Sequence, residues 1–179
     1  MLVGLDVELL SLDDFPHVQE VDEDGHSYLE NAMKKARVTA ETTGELSLAD
    51  DSGLEVEALN GAPGIYSSRY AGERATDAAN VQKLLESLKD ASREKRGAAF
   101  CCVLVLCRPG GACKAFNGRW EGRIHDAPLG EGGFGYDPVF FLPERGVTVA
   151  QLSAAEKNRL SHRGQAFADL RQWLQQEKL

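Results

Sequence analysis

Two adjacent aspartates, Asp50 and Asp51, are the residues of this sequence whose types and spacing most favour chemistry. Neighbouring carboxylates repel each other, and the pKa of one rises unless a cation or solvent relieves the pair. Successive residues of a strand face opposite ways, so we expect one acid to hold a divalent cation and the other to orient or relay a proton. The alternative is an Asx turn with both acids solvated, where the predicted strand Glu45–Ala49 ends.

An acidic segment nearer the N-terminus offers a second ligand for the same cation. It contains Glu20, Asp22, Glu23 and Asp24. Mg²⁺ takes oxygen ligands, commonly one or two carboxylates completed by water and substrate phosphate. We therefore expect Glu23 to bind Mg²⁺ beside Asp51. Glu20 and Asp22 stay open as alternative ligands, and a solvated loop is the structural alternative.

The segment GGFGYDP at residues 132–138 combines glycines with two aromatic rings and an acid. Glycine lets a backbone approach a ligand closely, and an exposed ring beside it can stack on a planar base. The spacing does not match the phosphate-binding pattern GxGxxG. The alternative is a structured turn in which Phe134 and Tyr136 fill the core.

A basic segment, AEKNRLSHRG at residues 155–164, contains Lys157, Arg159, His162 and Arg163 at two adjoining helix starts. Helix N-termini and donor-only side chains favour ligands rich in carbonyl or phosphate oxygens. The alternative is a basic surface patch. Acids for a metal, an aromatic and glycine-rich loop for a ring and bases for oxygens together indicate a nucleotide.

The elements that position these segments alternate between strands and helices. Val7–Leu12 is predicted as a buried strand, and Glu45–Ala49 and Leu54–Leu59 as short strands on either side of the aspartates. A long hairpin is predicted over residues 97–124, and a short strand after the glycine-rich loop. The expected class is α/β, with a mixed β-sheet flanked by helices.

Capping signals mark where the helices begin. Ser27 with Glu30, and Ser153 with Glu156, match the capping-box pattern. Apolar residues at helical spacing predict another helix over Thr76–Lys89. A last helix is predicted at the C-terminus, with an apolar face formed by Phe167, Leu170 and Leu174.

Composition bounds the remaining possibilities. The chain has 179 residues, a formal net charge of −8 and four cysteines. This length predicts one domain over residues 1–179. A negative surface repels nucleic acid and anionic membranes, and neither a long apolar run nor a signal peptide is recognised, so we expect a cytoplasmic protein without such partners. No CxxC pair occurs, so the cysteines are expected to be reduced core residues instead of zinc ligands.

A family resemblance rests on five segments in chain order: FPHVQEVDEDGHSYLENAMKKA, LADDSGL, GAPGIYSSRYAGE, GGFGYDPVFF and AEKNRLSHRG. Together they resemble the inosine triphosphate pyrophosphatase family over nearly the whole chain. The resemblance implies an elongated α/β fold with two lobes and a central cleft, generally a homodimer. It also implies Mg²⁺-dependent hydrolysis of XTP, ITP and dITP to a monophosphate and pyrophosphate.

The resemblance also implies roles for individual residues. Asp51 matches the catalytic acid that activates water and binds the metal, and Asp50 its supporting partner. We expect Asp51 to face the pocket that holds the base. The implied substrate contacts are Ser52, the base-packing residues Phe134, Gly135, Tyr136 and Asp137, and the residues Lys157, His162 and Arg163, which read the oxygenated edge of the base.

The start of the chain departs from the family pattern. Members usually begin with a strand that ends in Ser/Thr-Gly-Asn-x-x-Lys and grips the phosphates, whereas this sequence begins MLVGLDVELL and contains no such segment. We therefore expect weak triphosphate binding and slow turnover from the chain as written. One alternative is a catalytically weakened nucleotide-binding protein. Another is a haloacid-dehalogenase-like phosphatase, which requires a DxD motif where this chain has adjacent aspartates.

Overall fold

A single sheet organises the computed structural model, which describes Leu2 and residues 7–177. Its strand order is β2-β1-β3-β4-β5-β6. The strands are β1 (Ser47–Val56), β2 (Pro63–Gly64), β3 (Gly97–Cys107), β4 (Cys113–Ile124), β5 (Phe140–Leu142) and β6 (Val147–Thr148). The predicted α/β class is confirmed. Neighbouring strands within the described residues are all antiparallel, so the parallel pairs of the expected mixed sheet are not found there.

Four α-helices accompany the sheet in the described part of the chain. They are α1 (Tyr28–Thr43), α2 (Asp77–Ser87), α3 (Ala154–Leu160) and α4 (His162–Glu177). The predicted helices are thus confirmed. Within residues 7–177 and at Leu2, none of the helices combines the length and apolar character needed to cross a membrane.

The predicted capping boxes differ in detail. Ser153 and Glu156 form the expected reciprocal pair at the start of α3. At α1, the Ser27 hydroxyl accepts the Glu30 N–H at 3.2 Å as predicted. The Glu30 carboxylate, however, accepts from the His26 N–H at 2.7 Å, so the return bond expected at Ser27 is shifted by one residue.

The two faces of β3 explain why helices cover both sides of the sheet. Along β3 the odd-numbered residues Val103 and Val105 pack against the alanine face of α1. The even-numbered residues Leu104 and Leu106 pack against Leu170 of α4. Because strand side chains alternate between faces, a continuous apolar run is what a strand buried on both sides requires.

The hairpin of β3 and β4 is confirmed, but it corrects the prediction for its cysteines. Cys107 and Cys113 form a disulfide, since the hairpin register places them directly opposite each other. Cys101 and Cys102 are free and buried, as predicted. The bonded cysteines are six positions apart in the sequence, and only the strand register shows that they meet.

The strand predicted over Val7–Leu12 is wrong. Residues 7–11 lack regular structure, and a short 3-10 turn follows at Leu12–Asp14. Leu9 is 78% exposed, so this apolar run is not covered by the described core. An apolar run forms a strand only where a neighbouring strand completes its hydrogen bonds, and the described sheet pairs none with it.

Candidate active site

The aspartate pair lies in the middle of one strand, which corrects the expectation that a strand ends before it. β1 runs without a break from Ser47 to Val56, and Asp50 and Asp51 pair with Leu104 and Val103 of β3. The predicted strands Glu45–Ala49 and Leu54–Leu59 therefore belong to one element, and the second was predicted too long, because Glu57–Leu59 form a 3-10 turn. As expected from strand alternation, the two carboxylates point to opposite faces of the sheet, towards α4 and α1 respectively.

Asp51 is the buried member of the pair, with 8% of its surface exposed. Its Oδ2 accepts a hydrogen bond from Asn31 Nδ2 at 3.1 Å. Lys35 Nζ lies 3.7 Å from its Oδ1. Burial raises the pKa of Asp51, because desolvation disfavours the charged form more than Asn31 and Lys35 favour it. A carboxylate with a raised pKa is suited to accept a proton near neutral pH.

Glu23 reaches the same lysine as Asp51. Lys35 Nζ donates to Glu23 Oε1 at 2.5 Å. Arg69 adds a second cation, with its Nη1 3.7 Å from Glu23 Oε2. The structure therefore brings together the two carboxylates predicted to bind Mg²⁺, although a lysine lies between them.

The donor set at this cluster fits magnesium. The described residues contain no group of three or more His, Cys, Asp or Glu suited to hold a metal ion. Mg²⁺ needs fewer, because it commonly binds proteins through one or two carboxylates and takes its other ligands from water and substrate phosphates. Asp51 and Glu23 would be those ligands, and both already contact the ammonium group of Lys35.

Asn31 is a member of this cluster that the sequence analysis missed. Its side chain is fully buried, and its Oδ1 accepts the Gly25 N–H at 2.8 Å while its Nδ2 binds Asp51. One amide therefore ties the acidic segment to the buried aspartate. A signal was present, because Asn31 and Lys35 lie four residues apart on α1 and must share a helix face.

On the opposite face of the sheet, a cavity of about 520 Å³ collects the predicted substrate contacts. The cavity walls include the end of β1, the glycine-rich loop and the starts of α3 and α4. All the predicted substrate-binding residues line it: Ser52, Phe134, Gly135, Tyr136, Asp137, Lys157, His162 and Arg163. Arg159, from the same basic segment, is exposed and does not line it.

Lys157 is held between an acid and a ring in this cavity. Its ammonium donates to Asp137 Oδ2 and lies 4.0 Å above the centre of the Phe134 ring. Asp137 is only 2% exposed, and the same oxygen accepts the Phe134 N–H at 2.8 Å. A cation on one face of an aromatic ring is attracted by the ring quadrupole, so this arrangement fixes ring and lysine together.

The two aromatic rings of the loop have different surroundings. Phe134 is 62% exposed at the cavity, whereas Tyr136 is 4% exposed and belongs to the core. The Tyr136 hydroxyl donates to the Ser67 carbonyl at 2.9 Å, and burial strongly raises its pKa. The core-filling alternative therefore describes Tyr136, which also forms part of the cavity wall, but not Phe134.

The start of α4 places a neutral histidine and an arginine at the cavity. The His162 ring stacks on Phe100 with centroids 4.9 Å apart, and its Nδ1 is buried without a hydrogen-bond partner. Burial, with Arg163 and Lys157 nearby, lowers the pKa of His162 to about 3. Gly118 of β4 permits this approach, because a Cβ there would collide with the His162 carbonyl. A neutral imidazole has one donor and one acceptor nitrogen, and His162 lines the cavity.

The stability of the fold should depend on pH through His162. In the unfolded chain its imidazole takes up a proton below about pH 6.5, the usual pKa, whereas in the folded protein it does so only near pH 3. The free energy of unfolding therefore falls as the pH drops from 6.5 to 3. Relative to a His162→Gln variant, the wild-type free energy of unfolding should fall by up to about 1.4 kcal/mol per pH unit between pH 6 and 4. Urea denaturation at several pH values measures this, with His17→Gln controlling for loss of an exposed histidine. A constant difference would contradict it.

A second hollow, of about 950 Å³, adjoins the first. Its lining includes Glu23, Lys35, Arg69 and Asp50. Asp50 Oδ2 accepts from Arg163 Nη2 at 2.6 Å, and Arg163 lines the first cavity, so the hollows meet at this ion pair.

This geometry corrects the expected position of Asp51. The prediction that Asp51 faces the pocket of Phe134 and Arg163 is wrong, because Asp50 contacts Arg163 while Asp51 turns towards α1. The lining of the aromatic and basic cavity includes Ser52 but not Asp51. Asp51 instead belongs to the cluster of Glu23 and Lys35, which borders the second hollow.

Known proteins resemble this chain in sequence and in fold. Residues 1–173 match the model of the Ham1 family. The dITP/XTP pyrophosphatase of Geobacter sulfurreducens is 54% identical over 174 residues, which are 97% of this chain and 87% of that protein. The dITP/XTP pyrophosphatase of Desulfotalea psychrophila is 50% identical over 177 residues, covering 95% of this chain and 78% of that protein.

Solved structures agree with the sequence matches. A HAM1 protein from Coxiella burnetii superposes with a TM-score of 0.92 at 45% identity, covering 97% of this chain and 88% of that one. The Ham1 protein of Staphylococcus aureus gives a TM-score of 0.90 at 42% identity, with 95% and 88% covered. The resemblance found in the sequence is confirmed, and the chain belongs to the Ham1 family.

Proposed function

We propose that this chain, a nucleoside triphosphate pyrophosphatase by its family and relatives, hydrolyses the deaminated purine nucleotides XTP, ITP and dITP. The products are a nucleoside monophosphate and pyrophosphate, so the reaction would cleanse the nucleotide pool. One observation carries the proposal. A cavity with an exposed ring, two cationic side chains and a neutral histidine meets a carboxylate and lysine cluster across a single strand.

Base recognition belongs to the cavity of about 520 Å³. The base stacks on the exposed part of the Phe134 ring, close to the ammonium of Lys157. Lys157 and Arg163 are donors without acceptor capacity, so they pair with the 6-keto oxygen of inosine or xanthine. The 6-amino group of adenine would leave donors facing donors, and a site built on such bonds rejects the wrong analogue by about 10⁴-fold or more.

The triphosphate extends from the cavity past Asp50 towards the second hollow. Lys35 and Arg69 face that hollow and supply positive charge for the phosphates. Asp51 and Glu23 would hold Mg²⁺ there, and the bound ion would neutralise charge that develops on the phosphate oxygens. Positioning and charge neutralisation are the main sources of rate in phosphate-transfer chemistry.

Asp51 acts as the general base. Its carboxylate takes a proton from water as the water oxygen adds to phosphorus, and the α–β anhydride bond breaks with its electron pair leaving on the pyrophosphate. Burial, which raises the pKa of Asp51, makes it a stronger proton acceptor than an exposed carboxylate. Asn31 holds the carboxylate in place through its Nδ2.

The direct test is hydrolysis of ITP, XTP, dITP and ATP by the purified chain, with pyrophosphate release as the measurement. We expect turnover of the first three with Mg²⁺, none after EDTA treatment, and hydrolysis of ATP that is slower by about 10⁴-fold or more. Isothermal titration with inosine monophosphate separates the alternative of a weakened binding protein, which would bind without turnover. Equal rates with ATP and ITP would contradict the proposed base recognition.

A homodimeric state and a cytoplasmic location are further parts of the proposal. The family resemblance supports the dimer, and the net charge of −8 supports a protein that avoids nucleic acid and anionic membranes. Analytical ultracentrifugation and cell fractionation test these two statements. A monomer at micromolar concentration would contradict the first.

A further inference from the structure

The glycine-rich loop is a thin wall between two hollows. Besides the cavity of about 520 Å³, a separate hollow of about 750 Å³ lies on its other side, between the loop and α2. Gly132, Gly133, Phe134 and Gly135 line both. The position of this loop therefore decides how far the Phe134 ring faces the base cavity and how far it faces the other hollow.

Asp77 of α2 forms a hydrogen bond that holds the glycine-rich loop in place. It is the first residue of α2, whose N-cap Thr76 accepts the Ala79 N–H at 3.2 Å. Asp77 Oδ2 accepts the Gly135 N–H at 2.6 Å, a contact between residues 58 positions apart. Like the loop glycines, Asp77 lines both hollows.

Two carboxylates therefore accept hydrogen bonds from consecutive backbone amides, those of Phe134 and Gly135. Asp137 Oδ2 accepts the Phe134 N–H at 2.8 Å, and Asp77 accepts the next one along the chain. Gly133 and Gly135 have φ values of +76° and +59°, a backbone region that is open to many alternative loop shapes when glycine occupies it. A charge-assisted hydrogen bond selects one of those shapes.

We propose that Asp77 is a positioning residue for the base site, which holds the Phe134 ring at the substrate cavity through the Gly135 amide. This inference rests on the proposed function for the identity of the ligand. Without the Asp77 carboxylate, the loop loses its hydrogen bond to α2. The ring, which lines both hollows, is then free to turn away from the base cavity into the hollow of about 750 Å³. The base site then loses the ring on which the base stacks. The cluster of Asp51, Glu23 and Lys35, on the other face of β1, is unaffected.

A purely structural role for Asp77 makes a different prediction. A carboxylate in the first turn also stabilises a helix through its dipole, by an amount that does not depend on any ligand. In that case Asp77→Ala would lower thermal stability and leave affinity for the base unchanged. The conservative variant Asp77→Asn separates the roles, because its amide oxygen still accepts the Gly135 N–H while the negative charge is gone.

The experiment compares wild type, Asp77→Ala and Asp77→Asn by isothermal titration with inosine monophosphate and with inorganic tripolyphosphate. For Asp77→Ala we expect about tenfold weaker binding of the monophosphate, as for loss of one charge-assisted hydrogen bond, and binding of tripolyphosphate within about twofold of wild type. Asp77→Asn should retain most of the affinity. Glu86→Gln is the matched control, because it removes an acid from the same helix and the same hollow.

Hydrogen exchange of the loop gives a readout that needs no ligand. The Gly135 amide should exchange at least about tenfold faster in Asp77→Ala than in wild type or Asp77→Asn. If wild type binds no inosine monophosphate, the proposed function fails, and exchange alone decides whether Asp77 holds the loop. Wild-type affinity and unchanged Gly135 exchange in Asp77→Ala would overturn the inference.

Discussion

Replacing Asp51 with Asn should lower kcat for ITP hydrolysis by about 10³-fold or more, because general-base and electrostatic contributions are lost together. Asn has the same shape but neither accepts the proton of water nor offers a charged ligand to Mg²⁺. The Asn31 amide, at 3.1 Å, keeps a partner of similar size, so the fold should persist. Steady-state pyrophosphate release, with circular dichroism as the check on folding, measures the effect.

The matched control for this variant is Asp24→Asn. Asp24 lies in the acidic segment beside Glu23, but its side chain is 73% exposed and pairs with Lys34. Removing its charge should leave kcat within about twofold, since exposed ion pairs contribute little. Inosine monophosphate should bind Asp51→Asn with nearly wild-type affinity, because the base cavity lies on the other face of β1. If Asp51→Asn lowered kcat by less than about tenfold, Asp51 would not be the general base.

Local signals predicted most of the fold. Caps and apolar periodicity located the four helices of residues 7–177, because a cap and the helix it starts lie within a few residues. The hairpin followed from an apolar run and an alternating segment on either side of the Pro-Gly-Gly turn at residues 109–111. The errors arose where the outcome depends on which strand lies alongside and in what register. The apolar run Val7–Leu12 has no described strand beside it, and the Cys107–Cys113 bond depends on the register of two strands.

The candidate site shows the same division. Residue types predicted a set of base-binding side chains, and these side chains line one cavity. Strand alternation predicted that Asp50 and Asp51 face opposite ways, yet it did not say which one turns to Arg163. The contacts of Asn31 and Asp77 span 20 and 58 positions. The helical spacing of Asn31 and Lys35 indicated a shared face but not its partner Asp51, and nothing near Asp77 in the sequence pointed to Gly135.

A second large effect is expected at Asp137. Asp137→Ala should lower the free energy of unfolding by about 3–5 kcal/mol, the usual cost of breaking a buried ion pair. The side chains of Asp137 and Lys157 are 3% and 17% exposed, so the ammonium would remain in a mostly buried position without its acid. The Phe134 N–H would lose its acceptor as well. Urea denaturation at pH 7 measures the loss, and Glu86→Ala, at an exposed pair with Lys89, should change stability little.

Stability and recognition at this pair can be separated by a double variant. Asp137→Ala with Lys157→Met removes both charges, and replacing a whole buried pair with apolar groups is often neutral for stability. We therefore expect the double variant to regain most of the stability lost by Asp137→Ala, but not the preference for ITP over ATP, since the donor above the Phe134 ring is gone. If the double variant regained both, Lys157 would serve the fold alone, and the reading of the 6-keto oxygen would belong to Arg163.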